Sequence, residues 1–194
     1  MKSISSKVCS TIEIQKSKFI CILIPLQQVE DVKIELENIK QEFKSATHYC
    51  YAYIYNQIKR FSDDGEPGGT AGMPILKVLE NQELNHILAV VVRYFGGIKL
   101  GAGGLVRAYT NSVVESLNQV EKINLIFGKI VELTFPYNQE KKIITLISPY
   151  EPIEKKYEEE VHYKIFLPDY ILKNLEFYSY QILENQVLGQ EKKA

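Results

Sequence analysis

ILAVVVRYFGGIKLGAGGLVRAY, residues 87–109, contains the change of pattern that decides the fold. Its first part is a near-continuous apolar run, which predicts a strand inside a sheet covered on at least one face. Its middle is rich in glycine and predicts a loop over 96–104. Beyond that loop Leu105, Tyr109, Val113 and Leu117 recur every four residues, so the spacing predicts a helix over 103–119 with one packed side. Strand, loop and helix in this order imply a sheet with helices laid on it.

The segments upstream extend the sheet. Residues 8–15 and 18–25 predict two strands, the second closed by Pro25. From 27 to 44 the period changes, with Val29, Val32, Leu36, Ile39 and Phe43 three or four apart, predicting a helix. HYCYAYIY, 48–55, predicts a β-branched and aromatic strand, followed by a polar glycine-rich loop. Thr70 stands where it would cap a short helix carrying Ile75, Leu76 and Leu79, with Pro74 in the first turn. A boundary is expected around 120–127. Past it the order is strand (128–135), helix (137–147), strands (153–158 and 160–167) and helix (169–178), with a final strand near 180–188. That order suits a split β-α-β, ferredoxin-like domain. The expected domains are therefore 1–124 and 125–194, and the fold class is α+β.

Composition narrows the function classes. Hydrophobic residues are 45% and charged residues 24% of 194, with seven prolines, which fits globular domains rather than disorder. No apolar stretch is long enough to span a bilayer as a helix, and the N-terminus lacks the continuous apolar segment of a signal peptide. Cys9, Cys21 and Cys50 are odd in number, widely spaced and without a CxxC, so free thiols and a cytoplasmic location are expected, with no zinc site. Formal net charge is −1, split as 14 basic against 13 acidic residues up to position 124 and 9 against 11 after it. Contact with a polyanion must therefore come from a local patch.

Two loops concentrate the candidate chemistry. Nine of the eleven glycines lie between Gly65 and Gly104. Lysine outnumbers arginine 20 to 3, yet Arg93 and Arg107 both flank the second glycine loop, where a planar five-donor group suggests bidentate hydrogen bonding. Arg93, Lys99 and Arg107 with Gly96, Gly97, Gly101, Gly103 and Gly104 form a candidate polyanion or RNA surface, because loop amides, a helix N-terminus and cations suit phosphates. The stretch lacks GxxxxGK[ST], and Val106 stands where a dinucleotide fingerprint has its third glycine. The first loop offers Asp63, Asp64, Glu66, Gly68, Gly69 and Thr70. Its carboxylates suit a hard cation, acid–base work, backbone hydrogen bonds in a turn, or ion pairs with the arginines. His48 and Cys50 share a strand face and read either as a base with a nucleophile or as an edge histidine beside a core thiol. Tyr49, Tyr51, Tyr53 and Tyr55 share the opposite face, as a stacking platform for bases or as a buried sheet face. No GxSxG, HExxH or kinase signature occurs, so no catalytic residue and no cofactor is assigned.

Four segments in register, KSKFI (16–20), ATHYCYAYIY (46–55), SDDGEPGGTAGMPIL (62–76) and VVVRYFGGIKLGAGGLVRAYTNSV (90–113), resemble the YigZ/IMPACT family in its shorter, bacterial-type layout. Gly68 replaces the serine usual after Glu-Pro, and Met73 stands where a polar or basic residue is common. The resemblance implies an N-terminal domain of the small-subunit ribosomal-protein type, similar to domain IV of elongation factor G, and a ferredoxin-like C-terminal domain similar to its domain V. It further implies contact with RNA, the ribosome or a translation-associated protein, and the arginine placement and clustered glycines favour a non-enzymatic binding protein in that role. The competing readings are a phosphate or nucleotide binder or metal-dependent hydrolase using the 62–72 and 96–104 loops, and a protein-interaction module acting on a translation or stress-response partner.

Overall fold

A computed structural model of the chain describes residues 1–191. The chain divides between Ile123 and Asn124 into two compact units. The first contains β1 (Lys2–Ile4), β2 (Val8–Ile14), β3 (Ser17–Pro25), α1 (Asp31–Glu42), β4 (His48–Tyr55), β5 (Ile58–Ser62), α2 (Gly72–Asn81), β6 (Ile87–Tyr94) and α3 (Gly101–Leu117). Its antiparallel sheet runs in the order β2-β3-β6-β4-β5. The central strand β6 is buried from Ile87 to Arg93, which explains its unbroken apolar run.

Side chains alternate between the two faces of this sheet. Phe19, Cys21, Leu23, Cys50, Ala52, Ile87, Ala89 and Val91 pack against α2 and α3. Ile20, Ile22, Leu88, Val90 and Val92 pack on the other face with Val32 and Ile39 of α1. The four tyrosines of β4 belong to this second layer and are half-buried. Tyr49 Oη donates to the Phe43 carbonyl at 2.6 Å and Tyr55 Oη to the Gln27 carbonyl at 2.9 Å. They are thus part of a covered sheet face and not an open stacking platform.

Three local expectations are corrected. The stretch after β4 is not all loop, because Ile58–Ser62 forms the edge strand β5; four of its five residues are exposed, so it carries no burial period to read. Thr70 does not cap α2: its hydroxyl donates to the Pro67 carbonyl at 2.7 Å. Asp63 serves that end instead, accepting from the amides of Ala71 and Gly72 on Oδ1 and of Gly69 on Oδ2, at 2.8–3.0 Å. An ionised carboxylate reaching three amides satisfies more orphan donors than one hydroxyl. Finally, α3 starts at Gly101 rather than 103, so Gly101, Gly103 and Gly104 form its first turn. Burial of Leu105 extends the packed face close to that end, and the helix runs out to it.

The second unit holds most of β7 (Lys122–Phe135), with α4 (Glu140–Ile147), β8 (Glu154–Tyr157), β9 (Val161–Pro168), the one-turn α5 (Asp169–Leu172) and β10 (Ser179–Gln190). Its strands are antiparallel in the order β10-β7-β9-β8. Val131, Leu133, Tyr163 and Ile165 face Ile143, Ile147, Ile171 and Leu175 in a separate core. β7 begins inside the span expected as a connection, and from Leu125 onward it pairs with β10. The expected helix over 169–178 shortens to α5 and a 3-10 turn, since Leu175 is its last buried position and Phe177 is 97% exposed. No helix among the described residues is long and apolar enough to cross a membrane.

Candidate functional site

At one end of the first sheet, β3 starts, β4 starts and β6 finishes, and register places both Phe19 and His48 opposite Arg93. The alternation of β6 turns Arg93 toward the same face as Val91 and Ala89, beneath the 63–72 segment and the start of α3. A cation there requires a buried counter-ion. Glu66 supplies it: Arg93 Nη1 donates to Glu66 Oε1 at 2.5 Å, and both side chains are nearly fully buried.

The pair is the centre of a larger network. Tyr109 Oη, from α3, donates to the same Glu66 oxygen at 2.7 Å. Cys50 Sγ lies 3.3 Å from Tyr109 Oη and 2.9 Å from the Asp63 carbonyl. His48 Nε2 is 3.9 Å from Glu66 Oε2, while its Nδ1 lies 2.8 Å from the Asp64 carbonyl. Arg93 Nη2 reaches Ser17 Oγ at 3.5 Å, and its guanidinium sits 5.3 Å from the centre of the Phe19 ring and 5.5 Å from that of Phe95. Burial pushes the Cys50 thiol up to about 12 and the Tyr109 hydroxyl above its ordinary value. Cys50 is thus held as a neutral thiol, the wrong form for a nucleophile.

The remaining loop acids hold the main chain. Asp63 fixes the start of α2, and Asp64 Oδ2 accepts from the Tyr49 amide at 2.7 Å. No group of three or more His, Cys, Asp or Glu among the described residues is placed to hold a metal ion. Gly68 is exposed with open space around it. Gly96 has a different reason to be glycine, because a Cβ there would meet the Lys16 carbonyl carbon at 2.0 Å.

The candidate cations separate by depth. Arg93 is 5% exposed, whereas Lys99 and Arg107 are exposed. Arg107 lies on the outer side of α3, with Nη1 3.9 Å from the Cβ position of Gly103. Between Arg93 and the first turn of α3 lies a cavity of about 330 Å³, lined by Glu66, Arg93, Phe95, Lys99, Leu105 and the Leu100–Ala102 segment among others. Sequence reasoning reached Arg93, Glu66 and Lys99 but missed Phe95 and the bonding role of Tyr109. Phe95 continues the apolar run of β6, and Tyr109 falls on the packed face of α3, so each carried a packing signal that masked its second role.

The Impact N-terminal domain model matches residues 15–117, which include every residue of the network. The chain is 39% identical over 172 residues to IMPACT family member YvyE of Bacillus subtilis, covering 87% of this chain and 74% of that protein. It is 46% identical over 113 residues to IMPACT family member YigZ of Escherichia coli, covering 56% and 55%. A crystal structure described as that of a hypothetical protein superposes with a TM-score of 0.64 at 34% identity, covering 95% of this chain and 97% of the other. The family model over residues 15–117 and the relatives aligned with the chain lead to one conclusion: this protein belongs to the IMPACT family.

Proposed function

We infer that the chain is a non-enzymatic binding protein acting on translation, which holds RNA, free or within the ribosome, with the face formed by residues 95–107. The observation that carries this reading is the exposed turn leading into α3. Phe95 and Ile98 are 46% and 43% exposed, Lys99 lies beside them, and Arg107 lies over the first turn of a 17-residue helix whose N-terminus no side chain caps. Uncapped amides, two exposed cations and an exposed ring match the needs of a single strand, namely phosphate contacts and base stacking. Arg93 serves this face from below, by holding Glu66 and the Phe95 ring. The neutral Cys50 thiol and the backbone-bound Asp63 and Asp64 support the non-enzymatic reading.

The architecture supports translation by analogy of fold. Residues 125–194, with strand order β10-β7-β9-β8, read as a ferredoxin-like domain similar to domain V of elongation factor G. Residues 1–124 read as the ribosomal-protein-type domain similar to its domain IV. The test is fluorescence anisotropy with a labelled single-stranded RNA. The Lys99→Ala, Arg107→Ala double variant is expected to bind at least about tenfold more weakly than the unchanged protein, as lost phosphate contacts require. Equal affinity contradicts the reading.

A further inference from the structure

Arg93 Nε is the one buried side-chain nitrogen or oxygen among the described residues with no hydrogen-bond partner. Its side chain lines the 330 Å³ cavity at the start of α3. A buried donor left unsatisfied costs free energy unless a ligand or water meets it. The amides of the first turn of α3 are a second set of donors with neither side-chain cap nor intrahelical partner. Gly101 and Ala102 of that turn line the same cavity, and so does Lys99. Lys99 and the first-turn amides therefore border one space, with the unsatisfied Arg93 Nε buried beside it, and its volume is near the lower end of the roughly 300–1,000 Å³ usual for small-molecule sites.

We propose that this cavity is a binding site for a phosphate monoester carried on a flat ring, of the class of a nucleoside 5′-monophosphate. The charge balance favours phosphate over carboxylate. Glu66 is already neutralised by Arg93 and bonded by Tyr109, so the uncompensated positive field comes from Lys99 and the helix terminus, together about +1.5. A phosphate monoester carries about −1.5 to −2 at neutral pH and presents three acceptor oxygens. The ring belongs on Phe95. The Arg93 guanidinium lies against that ring, and the ring remains 46% exposed, which leaves surface on which a base stacks. Leu100 and Leu105 supply the apolar surface beside it.

The proposal rests on the same end of α3 as the RNA reading, and the phosphate has two possible sources, a free mononucleotide or the 5′-phosphorylated end of an RNA. Isothermal titration of the full chain with adenosine 5′-monophosphate, adenosine and inorganic phosphate reads the site itself. Saturable binding of the monophosphate, at least about tenfold tighter than that of adenosine, is expected. Gly103→Asp places a carboxylate at the same helix end, and a Cβ there meets only Arg107 Nη1, at an ordinary contact distance of 3.9 Å, so this variant should keep its fold by circular dichroism while losing at least about tenfold in monophosphate affinity. Lys99→Ala should weaken binding as well. Displacement of the mononucleotide by a 5′-phosphorylated oligonucleotide, but not by its 5′-hydroxyl twin, identifies an RNA end as the source; displacement by neither identifies the free nucleotide. No saturable binding at millimolar monophosphate, equal affinity for adenosine, or unchanged affinity in a folded Gly103→Asp variant overturns the proposal. Direct binding of the 5′-hydroxyl oligonucleotide is scored separately, so the RNA reading survives or fails by itself.

Discussion

Replacing Glu66 by alanine would leave the Arg93 guanidinium buried without a counter-ion and Tyr109 without its acceptor. Breaking a buried pair from one side costs about 3–5 kcal/mol, which a urea titration would read as a large fall in midpoint. Removing both charges with Glu66→Leu and Arg93→Met should recover much of that loss, because no buried charge remains. The thiols give a pH dependence whose sign is fixed. Burial holds Cys21 and Cys50 up to about 12 against an ordinary value of 9.0. Between those values the unfolded chain binds fewer protons than the folded one, so their contribution is full below about pH 8.5 and falls as pH rises from 9 to 12. A series of denaturation midpoints from pH 7 to 11 should show the decline, and a rising midpoint would contradict it. At this scale the site was half legible. Scarce arginine drew attention to Arg93, but Asp63, Asp64 and Glu66 are chemically alike and within four positions of one another. Only the folded trace shows that one carboxylate meets the cation while two hold amides.

At the scale of elements, the 63–72 segment behaves as the start of α2 as much as a loop. Asp63→Ala removes the acceptor for three amides. A loss of about 1.5–3 kcal/mol is expected, the worth of charge-assisted hydrogen bonds, with faster amide exchange at 69–72; unchanged exchange there would deny Asp63 its role. Gly96→Ala should prove severe in another way, because the clash falls on the backbone of residues 16 and 17 and not on a flexible side chain that could move aside. The elements themselves were legible where burial leaves a pattern: β3 and β6 as apolar runs buried on both faces, α1 and α3 as a helical period with one buried side. The edge strand β5 has no buried face to announce, and the early part of β7 is paired with residues some sixty positions later, which no local pattern carries. The helix-cap choice between Thr70 and Asp63 depends on how the chain folds back, which a rule about adjacent residues does not contain.

For the whole molecule, a net charge of −1 means that RNA binding must be local and only moderately sensitive to salt. Two phosphate contacts, through Lys99 and Arg107, correspond to a slope of about −1.4 in log affinity against log salt on a single strand. Anisotropy titrations from low to physiological salt should give a slope near that figure and a clearly flatter one for the double variant; a slope several times steeper would require a larger basic surface than the 95–107 face provides. The mixed α/β class and the succession of strands and helices were largely readable from pattern, while the strand order within each sheet and the functional consequence were not, because pairing is set by the folded chain and a fold hosts many activities. The most direct test of the account is hydrogen–deuterium exchange of the full chain with and without a single-stranded RNA. New protection concentrated in residues 95–107 is the predicted result, and protection confined to the second unit or to the tyrosine face of β4 would contradict it.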